Sequence, residues 1–189
     1  MRREATTVYF ESAGQANTDE TVKLAGARAR ELGIKKVVVA SNTGTTALKA
    51  AEHCEGCQLI VVTHSEGFRE PNTQELVPEN KEKLAKLGAR FYTGTHVMGG
   101  ISRAARDMLK TQVLGDFMAI TLKMFGQGTK VAIEISMMAA DAGLVRTDEE
   151  VVAIGGTGKG ADTALVIKPA YAHQAFSLKV AEIICKPRL

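Results

Sequence analysis

The sequence predicts an α/β fold built on a mainly parallel sheet. Val37–Val39 and Leu59–Val62 are unbroken apolar runs, as expected of strands buried on both faces, and Val151–Ile154 is a further strand. Segments with helical spacing separate these strands, and such alternation is typical of a parallel sheet covered by helices. Two of the strands run into glycine-rich loops, Ser41–Thr46 and Gly155–Gly160. Ligands of such sheets bind at the carboxyl ends of the strands, so the two loops are the first candidates for a site.

The length and composition favour one domain over residues 1–189, with enough chain for a sizeable core. The net charge is only +3, and no basic tract indicates a surface for nucleic acid. No apolar run reaches membrane-spanning length, and the N-terminus leads into a strand without the apolar core of a signal peptide. We therefore expect a cytoplasmic protein that binds neither nucleic acid nor a membrane.

The first part of the chain is expected to form a strand and two helices. Thr6–Phe10 has the composition of a short strand. Asn17 begins the first helix, with Glu20 three residues on in a capping-box arrangement, and Gly33 ends it. The second helix follows the first glycine-rich loop, at Ala47–Glu52.

The middle of the chain is expected to be mostly helical around one short strand. Pro78 suits the first turn of a helix that ends at Leu87, and Arg90–Thr93 is the next strand. From Val97 to Gly126 the pattern is again helical. Five apolar residues of this segment share one face and are predicted to pack in the core: Leu114, Phe117, Met118, Leu122 and Phe125.

The last part of the chain is expected to form one helix and the closing strands. Lys130–Gly143 has helical spacing and ends at a glycine. Ala164–Ile167 has the composition of a strand, and Pro169 ends it. Polar and apolar residues alternate over Phe176–Val180, which predicts an edge strand in the tail.

The Ser41–Thr46 loop has the layout of an anion site. Its backbone N–H groups, its hydroxyls and the start of the following helix can donate to a phosphate, and Gly44 lets the backbone approach one. An ordinary strand-to-helix turn has the same layout, and the loop lacks the Lys-Ser/Thr ending of a P-loop. In the second loop, Lys159 is a flexible charge that can reach an anion. The candidate phosphate-binding residues are Ser41, Asn42, Thr43, Gly44, Thr45, Thr46, Gly155, Gly156, Thr157, Gly158 and Lys159.

Two histidines at the ends of neighbouring strands are the candidates for acid–base chemistry. His64 follows the strand at Leu59–Val62, and His96 follows the strand at Arg90–Thr93. An imidazole at such a position can titrate near neutral pH, and a capping or surface role is the alternative. Three acidic residues flank the same strand ends, at separations that the spacing does not fix: Glu11, Glu66 and Asp162.

Cys54 and Cys57 form a C-x-x-C pair that is predicted to be structural. A redox pair is expected where a strand leads into a helix, whereas this pair lies where a helix leads into a strand. A zinc site needs a second pair of ligands, which Cys185 alone does not supply. We therefore expect no metal site.

Residues 37–47, Val-Val-Val-Ala-Ser-Asn-Thr-Gly-Thr-Thr-Ala, resemble the strand and phosphate loop in the C-terminal domain of pyruvate kinase. Leu59–Thr63, Lys130–Gly143 and Glu150–Pro169 are similar to later segments of that domain. The chain as a whole resembles the stand-alone pyruvate kinase α/β-domain-like proteins of archaea and bacteria. The resemblance implies three α/β/α layers and strand order 3-2-1-4-5 with strand 5 antiparallel, plus extra edge strands. It also implies that the two glycine-rich loops lie side by side.

The resemblance implies a binding protein more than a complete pyruvate kinase. In some pyruvate kinases the matching loops hold a sugar bisphosphate, but here Asn42 replaces a hydroxyl or basic residue, and the Lys159 loop lacks an aromatic ring. The stand-alone proteins look like binders of flavin mononucleotide (FMN) or another nucleotide, so FMN is the expected cofactor. A regulatory role and a homo-oligomer are further expectations. A catalytic (β/α)₈ barrel needs about 200 residues of its own, so this chain by itself is not expected to be a pyruvate kinase.

Two other classes of function stay open on the sequence. An enzyme acting on a small phosphorylated metabolite would use His64 or His96 as its acid or base. A structural subunit would keep the first loop without a ligand.

Overall fold

The computed structural model describes residues 4–188, and within this range a mixed sheet is covered by helices on both faces. Its strands are β1 (Val8–Phe10), β2 (Lys36–Ala40), β3 (Gln58–Thr63), β4 (Arg90–Thr93), β5 (Val151–Gly155), β6 (Thr163–Lys168) and β7 (Lys179–Pro187). Its α-helices are α1 (Thr18–Leu32), α2 (Thr45–His53), α3 (Pro78–Lys86), α4 (Gly100–Leu109), α5 (Leu114–Lys123) and α6 (Gln127–Asp141). Two 3₁₀ helices lie at Gln15–Asn17 and Ala172–Ser177.

The strands of the described range lie in the order β1-β7-β6-β5-β2-β3-β4. Counted from β2 as strand 1, the run β4-β3-β2-β5-β6 has the predicted order 3-2-1-4-5. Its fifth strand, β6, is antiparallel to β5, while β2 is parallel to both β3 and β5. The sheet then continues beyond the five-strand order, with β7 antiparallel to β6 and β1 parallel to β7. The predicted α/β class is confirmed.

Alternate residues of the central strands face two separate apolar layers. Val37 and Val39 of β2 pack with α1, α2 and α3, whereas Val38 between them packs with α5 and α6 on the other side. All three valines are fully buried. Burial on both faces is the reason for the unbroken apolar runs, because neither face of these strands meets water.

The first two helices cross closely at the C-terminal end of α2. A Cβ on Gly26 of α1 would collide with the backbone carbonyl of His53 at the end of α2. Gly33 ends α1 with a positive φ of 68°, as predicted. The predicted capping box is wrong: Asn17 ends a 3₁₀ turn in helical conformation, and its side-chain amide donates to Ser12 O at 2.7 Å.

The C-terminal segment differs from the predicted edge strand. Residues 172–177 form a 3₁₀ helix, and the strand begins only at Lys179. That strand, β7, is interior because β1 pairs along its outer side, with Val8 opposite Cys185. The alternation of polar and apolar residues therefore indicated a strand close to the start of β7. The edge of the sheet on this side is β1, the N-terminal strand.

The helical segment from Val97 to Gly126 is broken, and most of its predicted core stripe is exposed. Lys110 ends α4 in a left-handed conformation, with φ 53°. Met118 and Leu122 of α5 pack against the core. The prediction is wrong for the other three residues, which are exposed by more than half: Leu114, Phe117 and Phe125. A helical stripe shows that a face is apolar, but it does not show what covers that face.

Candidate functional site

A cleft of about 630 Å³ opens at the carboxyl edge of the sheet, where β2 and β5 lie side by side. Both predicted loops contribute residues to its wall, and both predicted histidines line it. The predicted residues in the lining are Ser41, Asn42, Thr43, Thr45, Thr46, His64, His96, Gly156, Gly158 and Lys159. A site at the point where strand order reverses is the usual arrangement in open α/β sheets.

The first loop is held in shape by its own side chains. Ser41 is buried, and its Oγ accepts from the backbone N–H of Ala47 at 3.2 Å, which satisfies one of the free donors at the start of α2. The hydroxyls of Thr43 and Thr45 lie 3.1 Å apart at the surface of the cleft. The loop therefore presents hydroxyls and a helix N-terminus to the cleft, which is the arrangement that favours an anion.

Position 44 requires a glycine, but for a different structural reason from the one expected. Its φ of 90° is in the left-handed region, and a Cβ there would lie 2.7 Å from Cβ of Asn80 and 3.2 Å from Leu76. Asn80 also donates from its amide to Thr43 O at 2.9 Å. The missing side chain of Gly44 thus makes room for α3 and its preceding loop, on the side away from the cleft wall.

The second loop is compact because its glycines approach other backbone. A Cβ on Gly155 would collide with the carbonyl of Gly128, and one on Gly156 with the carbonyl of Gly160. The buried carboxylate of Asp162 braces the loop by accepting from the N–H of Thr157 at 3.1 Å. Gly155 and Thr157 therefore support the loop, while Gly156, Gly158 and Lys159 line the cleft.

The cleft carries more positive than negative groups. Four cations line it: Lys49, Arg69, Lys130 and Lys159. Three of them lie within 4 Å of a carboxylate, Lys49 with Asp19, Arg69 with Glu75 and Lys130 with Glu134. Within residues 4–188, Lys159 has no such partner and is exposed. It is thus the cation whose charge is available to a ligand.

His64 is fixed in one tautomer by two neighbours. Its Nδ1 lies 2.5 Å from Oε2 of Glu75, and its Nε2 lies 3.0 Å from Nδ2 of Asn42. Since the carboxylate only accepts and the amide nitrogen only donates, Nδ1 carries the proton and Nε2 accepts. Burial lowers the pKa of His64 below 6.5, although Glu75 acts in the opposite direction.

His96 lies beside the buried ion pair of Lys130 and Glu134 in the cleft. Its Nδ1 lies 3.7 Å from Oε2 of Glu134, which also pairs with Lys130, and Met98 N–H donates to Oε1 at 3.1 Å. Burial alone would raise the pKa of Glu134, but His96 and Lys130 outweigh it and lower the pKa to about 2. Nε2 of His96 is buried and has no hydrogen-bond partner in the described range.

An aromatic side chain from the loop after β3 covers the two histidines. The ring of Phe68 stacks on His64 at a centroid distance of 3.8 Å and lies 5.3 Å from His96. The guanidinium of Arg103, from α4, lies 5.5 Å from the centroid of the same ring. The cleft therefore has a flat, partly apolar region next to Asn42 of its hydroxyl-rich loop.

Sequence reasoning missed four side chains that shape this region. Glu75 and Phe68 lie in a long loop without periodicity, so no pattern marked them. The sequence did contain an indication of Lys130 and Glu134. The two lie four residues apart, at the spacing of a helical ion pair, within a helix that is otherwise mostly apolar. A charged residue at a buried helical position requires a partner.

The other acidic candidates do not line the cleft. Glu11 and Glu66 are exposed and stand outside its wall. Asp162 is fully buried and bonds to backbone, so its observed role is structural.

The cysteine pair lies at the C-terminal end of α2, as predicted, and away from the cleft wall. Burial raises the pKa of Cys54 to about 12 and also raises that of Cys57, whose Sγ donates to Ile34 O at 3.3 Å. Residues 4–188 contain no group of three or more histidine, cysteine or acidic side chains placed to hold a metal. No helix in this range is both long and apolar enough to cross a bilayer.

Comparison with solved structures finds two pyruvate kinases of Cryptosporidium parvum, one of them in complex with ADP. They are 17% and 15% identical to this chain, with TM-scores of 0.40 and 0.41. The matches cover 76% and 81% of this chain but 21% and 23% of those enzymes, so the chain spans about a fifth of their length. The pyruvate kinase α/β domain, as a family, matches residues 19–167. The chain therefore belongs to the pyruvate kinase α/β-domain family.

Proposed function

We propose that this chain binds a phosphorylated small molecule, FMN or another nucleotide, in the cleft between the Ser41–Thr46 and Gly155–Gly160 loops. One observation carries the proposal. The hydroxyl-rich start of α2 and the unpaired Lys159 line the same cleft, although more than 110 residues separate them in the chain.

The phosphate end of the cleft is assigned to the first loop. The N-terminus of α2 supplies partial positive charge and free N–H groups, and the hydroxyls of Thr45 and Thr46 lie beside it. Lys159 approaches from the second loop as a mobile charge. Hydrogen bonds to a charged group contribute roughly 1.5–3 kcal/mol each, so a few of them suffice for micromolar binding.

The part of the cleft formed by Phe68, His64 and His96 suits a flat polar ring. The rings of Phe68, His64 and His96 lie together there, and a flat ring of a ligand can pack against such an aromatic group. The cleft volume of about 630 Å³ lies within the usual range for cofactor sites. FMN combines a phosphate and a flat ring and so fits both parts of the cleft, and it would supply redox chemistry when bound.

The proposal is tested by calorimetric titration of FMN and of riboflavin, which lacks the phosphate. Wild type should bind FMN, and its affinity for riboflavin should be much lower than its affinity for FMN. Thr46→Ala and Lys159→Ala should each weaken the affinity for FMN by roughly tenfold. The loss caused by Lys159→Ala should be smaller at high salt, because salt screens the attraction between the lysine and the phosphate. Matched controls at the opposite edge of the sheet are Thr147→Ala and Lys168→Ala, which should change nothing.

Equal affinities for FMN and riboflavin in all these proteins would show that the cleft does not recognise the phosphate, which would overturn the proposal. If neither FMN nor any nucleotide or sugar phosphate binds, the structural-subunit alternative takes its place. Gly44→Val is unsuitable as a test, because it would collide with Asn80 and affect folding.

A second candidate function is an enzyme that acts on a small phosphorylated metabolite. The observation that favours it is the pair of histidine–carboxylate contacts, His64 with Glu75 and His96 with Glu134, whose imidazoles lie 5.4 Å apart in the cleft. A histidine oriented by a carboxylate is a common acid–base arrangement. His64→Gln should then abolish turnover of a bound phosphate ester while leaving its affinity unchanged.

The setting proposed for either function is the cytoplasm, with a regulatory role for the binding protein. Transfer of a phosphoryl group from phosphoenolpyruvate to ADP is not part of the proposal, because that reaction belongs to the catalytic barrel of a pyruvate kinase.

A further inference from the structure

We infer that α4 and α5 form the interface of a symmetric dimer with a second copy of this chain. The α4–α5 surface is defined here by six side chains on the outer sides of the two helices: Ile101, Met108, Leu114, Phe117, Ile120 and Met124. Each is exposed by more than half, from 55% for Ile120 to 87% for Ile101. None of them belongs to the cleft.

Helix α4 has the reverse of the usual arrangement of a surface helix. None of its residues is buried, and Ile101 and Met108, two turns apart on one side, are exposed. The arginines of α4, in contrast to its apolar residues, contact other parts of the same chain. Arg106 pairs with the buried Asp116 of α5, and Arg103 lies over Phe68. A surface helix normally turns its apolar side inward, so the outward side of α4 is built to be covered.

Helix α5 is apolar on two sides. Met118 and Leu122 pack against the core of the same chain, and Phe117 and Met124 lie on the outer side. A helix that is apolar all round is typically buried on all sides. The ion pair of Arg106 with Asp116 joins the two helices, and they approach so closely that a Cβ on Gly115 of α5 would collide with Ser102 Oγ of α4. They therefore present one two-helix surface.

The size of the α4–α5 surface matches what a dimer needs. Large aliphatic side chains each carry roughly 60–120 Å² of apolar surface, so six of them at these exposures contribute roughly 300–500 Å². One side of a standard-size interface buries about 800 Å², of which about 450 Å² is apolar. The largest apolar patch on a typical soluble monomer is about 300–600 Å² and is often a functional surface.

The two arginines of α4 beside the surface favour a second copy over a partner recognised by their charge. Arg103 lies 3.8 Å from Asp107, and Arg106 pairs with Asp116, so each arginine is already neutralised within its own chain. A two-fold axis brings a surface against itself, which excludes unpaired like charges near the axis. Two α4–α5 pairs packed together would bury their apolar sides as a four-helix layer.

The test is sedimentation of the whole chain over a concentration series up to about 100 μM, which detects any dimer with a dissociation constant below that value. Wild type should sediment as a dimer. Phe117→Glu and Met108→Glu should each sediment as a monomer, since either places two carboxylates at the two-fold contact. Because both positions are exposed, circular dichroism and the melting temperature of the monomeric variants should show a folded protein.

The matched control is Leu87→Glu, the same kind of change at a residue 68% exposed at the end of α3, on the other face of the sheet. It should remain a dimer. A wild type that is monomeric throughout the concentration series overturns the inference. The inference is also overturned if that monomer co-sediments with anionic lipid vesicles, because a membrane and not a second copy would then cover the surface. A Phe117→Glu protein that stays dimeric also overturns it.

Discussion

Asp162 accepts a hydrogen bond from the backbone N–H of Gly14 at 2.8 Å, across a sequence separation of 148 residues. The same oxygen accepts from Thr157 N–H in the second glycine-rich loop, and the other oxygen accepts from the hydroxyl of Thr163 at 2.8 Å. One buried carboxylate thus ties the loop before α1 to the loop that carries Lys159. The shape of that loop depends on a residue outside the cleft wall.

Replacing Asp162 should weaken ligand binding without touching the ligand. Asp162→Ala leaves the N–H groups of Gly14 and Thr157 without their acceptor, at a cost of roughly 1–3 kcal/mol each. We expect lower stability in urea and a several-fold loss of FMN affinity, because Lys159 is then less well placed. Asp148→Ala, at an exposed carboxylate paired with Arg146, is the control and should affect neither. Unchanged affinity in Asp162→Ala would mean that this loop does not contact the ligand.

His64 should titrate below pH 6.5, and Glu75→Gln should lower its pKa further. Burial favours the neutral imidazole, whereas Glu75 favours the charged one. The unfolded chain therefore takes up this proton at a higher pH than the folded chain. The contribution to stability is complete above pH 6.5 and is lost as the pH falls below that value.

Histidine resonances followed by NMR over pH 4–8 would check the titration of His64. Glu66→Gln, at an exposed carboxylate in the same loop, should leave the resonance unchanged. A pKa of His64 above 6.5 in the wild type would contradict the prediction.

Lys130→Met should destabilise the protein strongly at neutral pH. It leaves the buried Glu134 carboxylate with a weaker set of partners, and breaking a buried pair typically costs about 3–5 kcal/mol. Lys130→Met combined with Glu134→Gln should recover part of the loss. Urea unfolding measures both, and Lys83→Met, in an exposed pair with Glu79, should change little.

The pair of Lys130 and Glu134 also predicts how the stability of the protein changes at acid pH. The pKa of Glu134 is lowered from 4.5 to about 2, so its contribution is present above pH 4.5 and is lost as the pH falls toward 2. By the size of that shift, the loss is roughly 3 kcal/mol. Glu134→Gln should remove this part of the acid response, and an unaltered response would contradict the assignment.

The thiols should react in an order set by burial. Burial raises the pKa of Cys54 to about 12 and that of Cys185 to about 11, so at pH 8 very little of either is the reactive thiolate. Only Cys57 should react with a thiol reagent in the folded protein, and slowly, with the other two reacting on unfolding. Cys54→Ala with Cys57→Ala should leave FMN affinity within about threefold, since both are packing residues. Rapid modification of Cys54 would indicate a catalytic or redox role.

The central sheet and its two loops could be predicted because their signals are local. An unbroken run such as Val37–Val39 is explained by burial on both faces, and each glycine-rich loop follows directly from such a run. The cleft that joins the loops depends on strand order. That order came from the family resemblance, since spacing alone does not say that β5 lies beside β2.

Other features depended on contacts that no local pattern encodes. Glu75 reaches His64 from an irregular loop, and Gly44 is required by Asn80 in a later helix. The stripe containing Phe117 was read as core because apolar periodicity is the same whether the covering surface belongs to the same chain or to another. The break at Lys110 was missed because nothing at that residue marks a left-handed conformation.

The pairing of β1 with β7 has a consequence for the order of folding. Residues 8–10 leave the ribosome before the other strands of the described sheet, but the strand that they pair with, residues 179–187, is made after all of those strands. The parallel centre formed by β2 and β3 can assemble early, since only 17 residues separate them. The outer side of the sheet has to wait for β7, and until then the segment containing Tyr9 has no partner strand. Among the strands of the described sheet, the last to be synthesised is thus the one that allows the first to fold.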